Sequence, residues 1–261
     1  MKIPQSLRVR IREGHVGPSI CVATPAYDHR CTVPFVQSML RLQKTCDRLG
    51  VALHWLTISG TPVDRARDLL VQQFRDKPHF GDVLVFIDSD EGWPARAVFD
   101  VVRLAQTRDV VAAAVPFRAV SWRNVWKAAQ VVREEHAEQL LPLVSSTGRV
   151  VAPMETVTGP FDVLECKGAG TGFLAIHRRV FDQIEAAHPE LRSTIALQPA
   201  VSFFMPFISN GSRLGEDIAF CHRWRALGGR CWAIAWHNMI HSGMTDTTDD
   251  MLVRAQLGVP M

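Results

Sequence analysis

Apolar positions in this chain fall into short runs that alternate with helical patterns. Ser19–Thr24 is a compact apolar run with strand character. From Val33 onward, Phe35, Met39, Leu42, Cys46 and Leu49 recur at three- and four-residue steps, which predicts an amphipathic helix that Gly50 stops. Ala52–Ile58 predicts a second strand, and Val63–Phe74 a helix with Pro62 near its first turn. Val83–Ile87 is apolar throughout and β-branched or aromatic at all but one position, the pattern of a strand covered on both faces. A helix at Pro94–Ala105 and a strand at Asp109–Val115 follow. This strand–helix repetition predicts a parallel sheet with helices on both faces.

The second half is less regular. Residues 118–165 mix tryptophan, charge and turn formers, and Ser145–Thr158 reads as a flexible loop. Order resumes with strands at Val163–Glu165 and Phe173–Ile176, separated by the glycine-rich Gly168–Gly172. Helices at Arg179–Ala187 and Glu216–Leu227 precede a strand at Cys231–Trp236, after which come His237 and His241. From Met244 the chain is rich in Thr and Asp and is expected to be a mobile tail. Without a repeat or a clear linker, 1–261 reads as one domain: a nucleotide-binding half at about 19–117, a second half at about 118–243, and the tail 244–261.

Composition narrows the class. With 47% hydrophobic and 21% charged residues, the chain has the balance of an ordinary soluble globular protein. A net charge of +3 neither demands nor excludes nucleic acid. Apolar stretches such as Val110–Val115 fall far short of the ~20 residues of a membrane helix. Met1–Glu13 is basic but leads into no apolar signal core, so the expected location is the cytoplasm or at most a membrane surface. The six cysteines form no Cys-x-x-Cys pair and read as reduced, mostly apolar-context thiols.

Candidate chemistry begins where the Val83–Ile87 strand ends in Asp88–Ser89–Asp90–Glu91. In an open α/β sheet, that edge is where ligands bind. Asp88 and Asp90 are two residues apart and offer hard oxygen donors suited to Mg²⁺ or Mn²⁺ carrying a phosphorylated substrate. A solvated turn after a strand has the same composition. Glu216 and Asp217 open a helix, where acids satisfy the free amides and the dipole, but either is also a candidate general base. His241 suits a structural hydrogen bond or the completion of an acidic metal site. Gly168–Gly172 precedes a strand rather than a helix and so lacks the dinucleotide pattern; it fits close backbone approach to a sugar, or a bulged turn.

Together and in order, these pieces resemble the GT-A fold glycosyltransferases, especially the compact family-2-like and mannosyltransferase-related enzymes of bacterial or phage type. The likeness runs from about Ser19 to Gly243. Thr24–Asp28 is similar to the opening nucleotide loop, Asp64–Asp68 to the Ala-Arg-Asn helix element, and Asp88–Asp90 to the Asp-x-Asp motif. Gly170–Phe173 resembles the acceptor-side turn, Gly215–Asp217 the Glu-Asp helix, and His241–Gly243 the late metal-binding histidine. The resemblance implies an α/β fold of GT-A type with a mixed, mainly parallel central sheet. It also implies metal-dependent transfer of a hexosyl or pentosyl group from a UDP- or GDP-sugar, UDP favoured, to an acceptor hydroxyl. Thr24, Pro25, Tyr27, Asp28, Arg65, Arg67, Asp88 and Ser89 would contact the nucleotide-sugar. Asp88, Asp90 and His241 would hold Mn²⁺ or Mg²⁺. Asp217, or else Glu216, would act as base, and Gly170, Thr171, Gly172 and Trp122 would meet the acceptor. Asp68 stands where the family usually has Asn, and 118–165 matches no family element.

The acceptor is left open between a glycan and, as in phage-type relatives, a hydroxymethylated pyrimidine base in DNA. Arg118, Arg123, Lys127 and Arg133, interleaved with Trp122 and Trp126, suit a phosphate backbone and base stacking, and equally an amphipathic surface. A nucleotidyltransferase would need a Gly-rich loop at the first strand, and Thr24–Asp28 has no glycine. A non-catalytic glycan- or nucleotide-binding module is the alternative from another class.

Overall fold

The computed structural model describes residues 18–133, 145–147, 150–153 and 163–243. In chain order the strands are β1 (Ser19–Ala26), β2 (Ala52–Ser59), β3 (Val83–Ile87), β4 (Glu91–Gly92), β5 (Val110–Ala113), β6 (Pro116–Val120), β7 (Ser145–Thr147), β8 (Val150–Pro153), β9 (Leu164–Ala169) and β10 (Phe173–His177). After these come β11 (Arg192–Ile195), β12 (Gln198–Val201), β13 (Phe207–Ser209), β14 (Ser212–Leu214), β15 (Cys231–Ile234) and β16 (Ile240–His241). The α-helices are α1 (Val33–Leu49), α2 (Val63–Arg75), α3 (Ala95–Arg108), α4 (Trp122–Ala129), α5 (Arg178–Ala187) and α6 (Glu216–Ala226).

The apolar periodicity places these elements well. Helix α1 has the bounds that its stripe predicts, and Gly50 ends it in the left-handed region at φ 64°, where a glycine carries no Cβ penalty. Strand β3 is buried at all five positions, as its unbroken apolar run requires. Alternation along the strands sorts the core into two layers. Cys21, Ala23, Leu84 and Phe86 face α2, α5 and α6 through Leu70, Phe74, Phe181 and Phe220. Ile20, Val22, Val83 and Val85 face α1 and α3 through Phe35, Leu42, Val98 and Val102. Helices thus cover both faces.

The sheet order is β2-β1-β3-β10-β5-β15-β9-β8. It is mixed rather than parallel throughout, which corrects the expectation from strand–helix repetition alone. Strands β2, β1 and β3 run one way with β5 and β15, whereas β10 is antiparallel to both β3 and β5, and β9 is antiparallel to β15. Strand β10 enters between β3 and β5 in reverse, so its first residue, Phe173, pairs with the last residue of β3, Ile87. The reversal therefore brings the turn before β10 to the acid-bearing end of β3. Another difference concerns Ser145–Thr158, read as a loop: β7 and β8 lie within it, β7 pairing with β6 and β8 with β9. The expected tail from Met244 lies outside the described residues.

Candidate active site

Backbone pairing assembles the site. Beyond β3 the chain makes a tight turn in which Glu91 N donates to Asp88 O at 3.1 Å, and Asp88 N donates to Gly172 O at 3.0 Å. Strand β4 then pairs antiparallel with β16, Glu91 opposite His241 and Gly92 opposite Ile240. Ser242 N donates to Asp90 O at 2.8 Å and continues the clamp. Two segments separated by some 150 positions are thereby fixed side by side.

This places Asp90, Glu91 and His241 so that one potential ligand atom from each lies within 4.8 Å of the others. His241 Nε2 is 3.5 Å from Asp90 Oδ2 and 3.6 Å from Glu91 Oε1. The other ring nitrogen, Nδ1, lies 2.8 Å from the Pro116 carbonyl oxygen. That carbonyl can only accept, so Nδ1 carries the proton and Nε2 faces the carboxyl groups with its lone pair when the ring is neutral. Burial lowers the His241 pKa, but the Asp90 carboxylate and the Pro116 carbonyl outweigh it and hold the ring above its ordinary value. Asp90 is moved the opposite way: burial raises it, and His241 and Arg118 more than offset that and lower it.

Glu91 is the residue that the sequence did not single out. Its side chain is 1% exposed, and Oε2 has no hydrogen-bond partner among the described residues. Burial, reinforced by the Asp88 and Asp90 charges, pushes its pKa up to about 10. A buried carboxyl oxygen without a donor is costly unless something positive meets it. Two oxygen donors and one imidazole nitrogen form a set that fits Mn²⁺ or Mg²⁺. No sequence signal beyond membership of the acidic run marks Glu91, because its partner is supplied by β16.

Asp88 stands beside this group on a different partner. Its Oδ1 accepts from Arg67 Nη2 at 3.0 Å, while Arg67 Nη1 donates to Glu216 Oε1 at 2.6 Å. Arg67 is 2% exposed and projects from α2, so one buried guanidinium ties the acidic loop to the first turn of α6. Asp217, also in that turn, is 3% exposed and accepts from Ile218 N through Oδ1 at 2.7 Å. Gly172 is needed for close packing here: a Cβ on it would lie 3.1 Å from Glu91 Oε1 and 3.5 Å from Asp88 Oδ2.

These groups line one cavity of about 550 Å³, bounded by Arg67, Asp88, Glu91, Arg118, Glu216, Asp217 and His241, with Gly170, Thr171 and Gly172 on the β10 side. The remaining expected contacts, Thr24, Pro25, Tyr27, Asp28, Arg65, Ser89 and Trp122, are not among its described lining residues. Thr24 is buried and its Oγ1 accepts from Trp55 Nε1 at 3.0 Å; Pro25 is buried, whereas Tyr27, Asp28 and Arg65 are exposed. The Ser89 carbonyl accepts from Thr32 N at 2.9 Å, which joins the acidic loop to the start of α1. Trp122 is exposed on α4 and is not among the cavity-lining residues. Asp68, the departure from the family pattern, points away into the core and accepts from Phe204 N at 2.9 Å.

No family model matches the chain, and no curated protein sequence does. Among solved structures, the chain is similar to A197 from STIV, with 15% identity over 87% of this chain and 86% of that one, at a TM-score of 0.50. It also matches a glycosyltransferase involved in the glycosylation of the major capsid of PBCV-1, with 11% identity over 66% and 68% of the two chains and a TM-score of 0.33. A third match is GalNAc-T7 with UDP, GalNAc and Mn²⁺, with 10% identity over 86% of this chain and 44% of that one, at a TM-score of 0.43. The similarity to A197 extends to the fold and no further. The other two superpositions are looser still.

Proposed function

We propose that the protein is a metal-dependent glycosyltransferase of GT-A type, moving a sugar from a nucleotide-sugar to an acceptor hydroxyl. The observation that carries this reading is the cavity at the acid-bearing end of β3, lined by Asp217 and by Glu91 and His241 of the Asp90–Glu91–His241 donor set. Four carboxyl residues line it, Asp88, Glu91, Glu216 and Asp217, with Asp90 behind them on Arg118 and His241, against the guanidinium groups of Arg67 and Arg118. A diphosphate entering such surroundings needs a cation between itself and the acids.

Asp90, Glu91 and His241 would hold that cation, which when bound offsets the charge on a departing nucleoside diphosphate. Arg67 bridges Asp88 and Glu216 and fixes both side chains. Asp217, buried in the first turn of α6 and lining the cavity, would act as the base. In a displacement that inverts the anomeric carbon, the acceptor oxygen bonds to that carbon and the bond to the diphosphate oxygen breaks with its electron pair. The hydroxyl proton goes to Asp217. Gly170–Gly172, with small side chains or none, gives the acceptor room beside the acids.

The test is release of nucleoside diphosphate from a panel of UDP- and GDP-sugars with Mn²⁺, with Asp90→Ala as control. Turnover of one donor, lost in the control, is expected. Absence of both turnover and donor binding would leave the binding-module reading. The exposed Trp122 and Trp126, one helical turn apart on α4 beside Arg123 and Lys127, favour as second reading an anionic, base-bearing acceptor such as hydroxymethylated DNA. Retention of DNA that is lost in a Trp122→Ala, Trp126→Ala double variant would support it.

A further inference from the structure

Arg118 stands where the cation's ligands converge. It sits on β6, its Nη2 contacts Asp90 Oδ2, and its Nε donates to His241 Nε2 at 2.8 Å. Nδ1 of that ring is committed to Pro116 O, so Nε2 is the nitrogen that His241 can offer a metal. One lone pair serves either an N–H donor or a metal ion, never both. The Arg118 contact and cation binding through His241 are therefore mutually exclusive.

The side chain is free to leave. It is 57% exposed, it lines the cavity, and its aliphatic stem lies along Gly243, where a Cβ would come within 2.7 Å of Arg118 Cδ. Buried Glu91 feels the Arg118 charge, but its Oε2 has no hydrogen-bond partner among the described residues, and the exchange gives it a cation in direct contact.

We propose that Arg118 is a displaceable counter-ion of the cation site: it holds Asp90 and His241 in place before a cation binds, then gives them up and turns its guanidinium to the diphosphate of the donor. This rests on the glycosyltransferase reading for the identity of the diphosphate. The planar fork of a guanidinium suits phosphate oxygens as well as it suits a carboxylate. The exchange makes the two ligands cooperative, because a diphosphate that draws Arg118 away frees the cation's ligands, and by linkage the cation strengthens diphosphate binding equally.

The experiment measures Mn²⁺ affinity by electron paramagnetic resonance for the full-length protein and Arg118→Gln, each with and without UDP or GDP. Arg118→Gln is expected to bind Mn²⁺ alone several-fold more tightly than the parent and to show a smaller gain on adding nucleotide. A general charge effect is separated by following the Arg118 Nε–H resonance, identified by its loss in Arg118→Lys, as Mg²⁺ is added. Displacement requires that resonance to shift as the site fills. Equal Mn²⁺ affinity in parent and Arg118→Gln, or an unchanged resonance at saturating Mg²⁺, overturns the exchange while leaving the glycosyltransferase reading intact. No Mn²⁺ binding by either protein, with or without nucleotide, overturns the cation site itself and the exchange with it.

Discussion

His241 lies directly opposite Glu91 in a two-residue antiparallel ladder, its Nε2 3.6 Å from Glu91 Oε1. Each member of this pair explains the other: the ladder puts an imidazole beside an acid too buried to be ionised alone. Burial of this acid costs free energy that a cation bound here would offset.

Glu91→Gln is expected to stabilise the protein and weaken its site. The Glu91 pKa is raised by folding, so the folded state keeps a proton that the unfolded chain releases, and stability falls as pH rises from about 4.5 toward about 10. Removing the acid should raise stability at pH 7 by about 1–3 kcal/mol and flatten the fall with pH. Mn²⁺ affinity should drop tenfold or more, roughly the scale seen for losses around metal sites. Thermal midpoints across pH 5–9, with and without Mn²⁺, check both effects; a Glu91→Gln protein that binds Mn²⁺ as the parent does would remove Glu91 from the ligand set.

Asp217→Asn is expected to lower kcat by about 10²–10⁴-fold, the usual contribution of a general base, with donor binding retained. Glu216→Gln should cost less, because Glu216 is engaged with Arg67 at 2.6 Å. Single-turnover rates and nucleotide titrations on both variants separate the roles. Equal losses would shift the base assignment toward Glu216.

Arg67→Ala removes the guanidinium between Asp88 and Glu216 and leaves two carboxylates facing each other without it. Breaking a fully buried ion pair from one side costs about 3–5 kcal/mol; Asp88 and Glu216 are partly exposed, so urea denaturation should show a smaller loss, about 1–3 kcal/mol. Arg67→Ala combined with Asp88→Asn and Glu216→Gln should recover part of it. A single variant as stable as the parent would show that the bridge does not hold α2 to α6.

Asp68→Asn tests the buried acid in α2. Burial raises the Asp68 pKa, against the opposing hydrogen bond from Phe204 N. The folded state therefore favours the protonated form, and this acid's contribution to stability is lost as pH rises above its unfolded value. Asparagine keeps an acceptor for Phe204 N and carries no charge. The variant should be more stable than the parent at pH 8, with the difference shrinking toward pH 4. A difference that does not change with pH would trace the effect to packing.

The period of the apolar residues determined most of the secondary structure and both core layers, because burial follows a side chain's position along a helix or strand and is read locally. The Asp88–Asp90 run, the Glu216–Asp217 pair and His241 are legible as candidates for the same local reason: each puts polar functional groups at an element's end. What only the tertiary structure decided was which of them share partners. The reversed entry of β10 between β3 and β5 placed Gly172 against Asp88. The β4–β16 ladder put Glu91 beside His241 and Asp90, while Arg67 joined Asp88 to Glu216. Strand pairing and ion-pair choice join residues far apart in the chain, and no local pattern of hydrophobicity or charge encodes which distant edge a strand will meet.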